Sequence, residues 1–163
     1  MAQLLGETTD ANNYSRQMNK VKEGYNRCWN GYAYRHPEYN DCTDDRVQAL
    51  AVVSGIAEQD KYPYIIDLFK KQFYASPYME KYVMEALFVM GEGKYAMERM
   101  QKRFAPMVNH PFYTTLFEGW DIGPNGFGGG TVNHAWSGGP LIVIARYVCG
   151  IEPLDAAYKT FRI

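Results

Sequence analysis

The stretch Ala75–Gly91, "ASPYMEKYVMEALFVMG", decides the fold. Ser76 ahead of Pro77 has the form of a helix N-cap followed by proline at the first helical position, where a missing N–H costs nothing. The residues after it are apolar almost all round, which predicts a helix buried on more than one side, stopped by Gly91 and Gly93. Its neighbours on both sides also read as helix. Downstream, "KYAMERMQKRFAPMV" puts Met97, Met100, Phe104 and Met107 on one inner stripe, with Pro106 set to kink or end the helix. Upstream, a helix begins near Pro63 and uses Ile65, Leu68, Phe69 and Phe73. Before that, Thr43 and two aspartates open a capped helix that buries Ala49, Leu50, Val52, Val53 and Ile56.

The same reading reaches both ends of the chain. Tyr14, Met18, Val21, Tyr25 and Cys28 recur at alternating steps of four and three, the mark of an amphipathic helix over Thr8–Trp29. Near the C-terminus, "PLIVIARYVCG" has the β-branched content of a strand, but its proline start and glycine stop favour a buried helix. The tail "YKTFRI" reads as a short extended piece. The expectation is an all-α single domain over residues 1–163, with about six helices on short links forming successive antiparallel hairpins.

Composition narrows the function classes. At 163 residues and 47% apolar content the chain has enough material for one sizeable core. Lys+Arg 17 against Asp+Glu 18, with no basic run, argues against a nucleic-acid or anionic-membrane partner. No apolar stretch approaches the ~20 residues of a membrane span. The N-terminus lacks the pattern of a signal peptide, and location stays open. Cys28, Cys42 and Cys149 form no CxxC and read as reduced, while His36, His110 and His134 are too scattered for a metal cluster. No cofactor is expected. The 14 tyrosines and 3 tryptophans exceed what a small core needs, so some are expected to line a cleft.

The candidate chemistry lies in "TTLFEGWDIGPNGFGGGTVNHAWSGG", Thr114–Gly139. Glu118 sits between Phe117 and Trp120, where burial tends to raise a carboxyl pKa toward acid–base use. The alternative is a surface glutamate or a partner for Arg103. His134 in "NHAW" can donate and accept hydrogen bonds to a polar ligand, against the commoner structural role. Trp120, Trp136 and Trp29 can stack on a sugar's apolar face, against core packing, which is favoured for Trp29. Gly123, Gly126, Gly128, Gly129 and Gly130 match no nucleotide loop and are expected to let backbone approach a ligand. Asp44, Asp45 and Arg46 read as helix N-terminal charge with an internal ion pair, or as the floor of a pocket. No Ser-His-Asp set is legible, and Cys28 has no basic activator.

The succession "WNGYAY", "DDRVQALAVVSGIA", "ASPYMEKYVMEALFVMG", "TLFEGW", "NHAWSGG" and "RYVCGIEPL" resembles the C-terminal half of the helical catalytic domain of bacterial α-L-rhamnosidases, glycoside hydrolase family 78. The resemblance covers nearly the whole chain and is most specific in "TLFEGW" followed by "NHAWSGG". It implies half of an (α/α)6 toroid. It also implies inverting hydrolysis of a terminal α-L-rhamnoside, with Glu118 as general base, His134 on the sugar, and Trp120 and Trp136 around the pocket. An inverting site needs a second carboxylate roughly 6.5–9.5 Å from the first. The family's general acid lies in the N-terminal half of the barrel and has no counterpart here. The chain is therefore expected to be part of a larger enzyme and inactive alone, with an exposed inner face that favours self-association. The rival expectations are another glycosidase on the same barrel, and a carbohydrate-binding or assembly module without catalysis.

Overall fold

The computed structural model describes residues 1–122 and 131–163, so the expectation for the glycines at 123, 126, 128, 129 and 130 lies outside the described residues. Among the described residues there are six α-helices: α1 Thr8–Asn26, α2 Asp45–Val53, α3 Tyr62–Lys71, α4 Pro77–Val89, α5 Gly93–Val108 and α6 Gly139–Val143. A π-type turn, Ile144–Val148, continues α6. Strand β1, Glu152–Pro153, pairs antiparallel with β2, Phe161–Arg162, which is the extended tail expected from the sequence. At 56% helix, with only that ribbon of sheet among the described residues, the class is all-α.

Helix α4 occupies the centre, and its ends are those read from the sequence. The Ser76 hydroxyl accepts from the Met79 N–H at 3.4 Å, and Pro77 is the first helical residue. Gly91 follows with φ +84°, a conformation glycine adopts without strain. One face of α4 joins Val83 and Leu87 to Val52 of α2 and to Ile65, Leu68 and Phe69 of α3. Met84 on another face meets Met100, Phe104 and Met107 of α5, with Phe117 and Val143. Each fully buried side chain of this size contributes about 1.5–3 kcal/mol. The main packing partners of α4 are α2, α5 and α6. Neighbours two apart in sequence, α2 with α4 and α4 with α6, therefore pack against one another as the consecutive pair α4 and α5 does.

A helix buried this fully also carries acids, and these are paired. Arg99 of α5 donates from Nε to Glu80 Oε1 at 2.5 Å and from Nη2 to Asp45 Oδ2 at 2.9 Å. Its Nη1 caps α3 by donating to the carbonyls of Phe69 at 2.5 Å and Gln72 at 3.1 Å. Arg103 completes the cluster, donating to Glu80 Oε2 at 2.6 Å and to the Ala75 carbonyl at 3.0 Å. Burial pulls the Arg99 guanidinium down, but Glu80 and Asp45 outweigh it and hold Arg99 above its ordinary pKa. For Arg103, burial, together with the neighbouring Arg99, wins over Glu80 and lowers it. The remaining buried acid, Glu85, accepts from Lys81 at 2.9 Å.

Several expectations require correction. The α2 cap is Asp44, not Thr43: the aspartate accepts from the Arg46 N–H at 2.8 Å and also pairs with the Arg46 guanidinium. Leu50 and Val53 of α2 are 44% and 38% exposed, because the buried stripe is Asp45, Gln48, Ala49 and Val52. Those polar residues can face inward since Asp45 meets Arg99 and Gln48 bonds both the N–H and the carbonyl of Tyr34 at 2.8 Å. Helix α1 forms with its apolar stripe, yet it buries no residue: Tyr14, Met18 and Val21 are exposed and only Tyr25 reaches the core. Phe73 falls beyond α3, half exposed, with the Arg99 guanidinium 4.5 Å from its ring centre. Helix α5 runs two residues past Pro106, since the proline lies in the last turn and the carbonyl it leaves without a donor belongs to exposed Lys102. The "PLIVIARYVCG" segment is helical as expected but buried on one side only: Val143 is in the core, while Leu141 and Ile142 face out.

Candidate functional site

The segment before α6 and the segment after α5 are laced together by backbone. The Glu118 N–H donates to the Thr131 carbonyl and the His134 N–H to the Leu116 carbonyl, both at 2.9 Å. The Thr115 hydroxyl bonds the Val132 carbonyl, and the buried Ser137 hydroxyl bonds the Phe117 carbonyl at 2.5 Å. Neither segment has the helical periodicity that would let it satisfy its own polar groups, so each satisfies the other's. Glu118 and His134, sixteen positions apart in sequence, are thereby held on the two arms of one doubled loop.

Trp136 belongs to the same unit. Its indole N–H donates to the Glu118 carbonyl at 3.1 Å, and its ring stacks on His134 with centroids 4.2 Å apart. His134 Nδ1 accepts from the Trp136 N–H at 3.4 Å, which sets the imidazole over the start of a short 3-10 turn, Ala135–Gly138. Glu118 is half-buried. Arg103, the partner weighed for it from the sequence, is committed to Glu80 instead.

Trp120 is tied to the body of the protein. Its indole N–H donates to the Ala75 carbonyl at 2.7 Å, its ring lies edge-on to Phe104 at 5.0 Å, and the Arg103 guanidinium sits 4.2 Å from its centre. It packs with the α5 core cluster. Two positions from Glu118, it anchors the loop to the body of the protein. The unpaired-charge cost that would accompany an isolated guanidinium is met here by Glu80 and the π face of Trp120 together.

Tyr78 was not singled out from the sequence, and it joins the site: its ring is 5.5 Å from that of Trp136, tilted by 36°. The missed signal was an aromatic on the first turn of a capped helix. Trp29 packs against the core beside Tyr34 at 5.1 Å, in line with the bland reading.

Two concavities lie elsewhere. An apolar groove of about 550 Å³ runs between α5 and the start of α6, past Met100, Phe104, Leu116 and Leu141. A cavity of about 490 Å³ is lined by Tyr25, Tyr34, Arg35, His36, Tyr39 and Asp44. Asp44 thus both caps α2 and floors a cavity, the two roles weighed for it. Neither concavity includes Glu118. Among the described residues no group of three His, Cys, Asp or Glu is placed to hold a metal ion, and no helix is long and apolar enough to cross a membrane.

No family model matches this chain, and no curated protein matches it.

Proposed function

We propose that this chain is the base-bearing half of an (α/α)6 glycosidase acting on terminal α-L-rhamnosides by inversion. The observation that carries the reading is the doubled loop that holds Glu118, His134 and Trp136 as one unit. In that reading Glu118 takes a proton from the attacking water, His134 bonds sugar hydroxyls, and Trp136 shapes the wall against which the sugar lies. Trp120 positions Glu118 by tying the loop to the Ala75 carbonyl. The packing of α4 against helices two before and two after it supports one layer of a toroid, in which alternate helices line the same wall.

Inversion needs a second carboxylate, and the buried ones here are occupied. Asp45 and Glu80 are ion-paired with Arg99 and Arg103, and Glu85 with Lys81. The acid would come from the other half of the barrel. A sugar-binding role without turnover is the second reading, favoured by the same commitment of these carboxylates. The test is hydrolysis of an aryl α-L-rhamnoside by this chain alone and by the chain joined to six further helices carrying an acid. Turnover only in the joined protein, lowered by orders of magnitude in Glu118→Gln, is the expected result. Unchanged turnover in Glu118→Gln would remove it from the mechanism, and sugar binding without turnover in either protein would favour the second reading.

A further inference from the structure

The aromatic contacts of the site continue past Trp136. Tyr78 is 5.5 Å from Trp136, and Tyr82 is 5.9 Å from Tyr78 with the two hydroxyls 3.4 Å apart. The four-residue step places both tyrosines on one face of α4, and the Ser76 cap and Pro77 fix the turn on which Tyr78 stands. Tyr82 is held from behind, packing on the core and lying 4.5 Å under the Lys81 ammonium, which is itself paired with Glu85. Tyr78 is therefore a braced ring. It is also 40% exposed and belongs to neither core cluster.

An immobilised, half-exposed phenol beside the sugar-binding unit leaves apolar area in water without a core to gain from it. We infer that Tyr78 forms a second ring subsite, stacking the group attached to the sugar held by His134. The ligand class is a six-membered ring with an apolar face, from an aryl leaving group or from a second pyranose. No charge on the ligand is called for, because Lys81, the cation over the adjoining Tyr82 ring, already has its carboxylate. The inference rests on the rhamnoside-binding reading of His134 and Trp136.

Ligand-observed NMR titration of the full chain tests it with methyl α-L-rhamnoside, phenyl α-L-rhamnoside and a rhamnosyl-glucoside. One added stacking contact predicts roughly two- to twelvefold tighter binding of a ring-bearing ligand than of the methyl glycoside. The gain should vanish in Tyr78→Ala and persist in Tyr78→Phe, which keeps the ring and the fold; gain with phenyl alone, or with the glucoside alone, names the source of the ring. Equal binding of all three ligands, or a gain that survives Tyr78→Ala, overturns the subsite while leaving the rhamnoside reading intact. A ring-bearing ligand that binds through Tyr78 while the methyl glycoside does not would uphold the subsite and sink the rhamnoside reading. No binding of any ring-bearing ligand overturns the subsite.

Discussion

Arg99→Met removes the centre of the buried charge cluster. Arg99 makes five hydrogen bonds, two to Glu80, one to Asp45 and one each to the Phe69 and Gln72 carbonyls. Methionine replaces much of its volume and none of these. Glu80 keeps Arg103 at 2.6 Å, so its charge stays compensated. Asp45 does not: it is fully buried, its Oδ2 loses the Arg99 bond, and its Oδ1 is already without a hydrogen-bond partner among the described residues. Stranding one buried carboxylate costs about 3–5 kcal/mol. That is a large share of the roughly 5–15 kcal/mol available to a domain, and corresponds to a fall in Tm of roughly 6–20 °C at this size. Urea unfolding followed by circular dichroism measures it. Adding Asp45→Asn should return part of the loss, since the amide carries no charge to strand. A loss below about 1 kcal/mol in Arg99→Met, or a double variant that loses the full sum of both singles, would refute the reasoning.

Three smaller tests probe other parts of the fold. A Cβ at Gly139 would come within 2.7 Å of Lys81 Cβ, where no flexible side-chain end can move aside, so Gly139→Ala should cost about 1–3 kcal/mol in thermal melts by prising α6 from α4. Burial, reinforced by Glu58 and Asp60, pushes the Tyr34 phenol from 10.0 up to about 12. Between those values the unfolded chain has released a proton that the folded one retains, so stability present below pH 10 is lost as pH rises toward 12. Tyr34→Phe should flatten that alkaline limb, although it also strips the 2.8 Å bond to Asn26 and lowers stability at neutral pH. Ser76→Ala should cost about 0.5 kcal/mol in urea unfolding, the low end for a cap, because the bond it removes is long at 3.4 Å.

Local signals read correctly wherever the structure uses them locally. The Ser76–Pro77 start, the Gly91 stop and the Met100, Phe104 and Met107 stripe each depend on residues within a turn or two, and each stands in the fold. Leu50 and Val53 misled because hydrophobicity says what is cheap to bury, not which face has partners. Asp45 and Gln48 took the inner face of α2 because Arg99 and Tyr34 were there to meet them. The charge cluster was illegible since its members lie 19 to 54 positions apart. One hint was present: glutamates at 80 and 85 in a helix apolar on nearly every side must find cations if that helix is buried. In the candidate site, Glu118, His134 and Trp136 were legible as types, but their union depends on bonds between two loops with no periodicity. The tie of Trp120 to the Ala75 carbonyl was likewise illegible, since the two lie 45 positions apart.

The sequence separations within the buried charge cluster also predict an order of folding. Glu80 and Arg99 are 19 positions apart, on helices joined by a tight glycine turn, whereas Asp45 must close a loop of 54. The α4–α5 pair is the cheap nucleus, and within it Glu80 already meets both arginines. What that nucleus lacks is a second negative charge, so it carries an excess positive charge awaiting α2. Mutations at the α4–α5 contact should slow refolding, while those on α2, Asp45 among them, should mainly hasten unfolding. The aspartate that opens α2 is then the latch that shuts last.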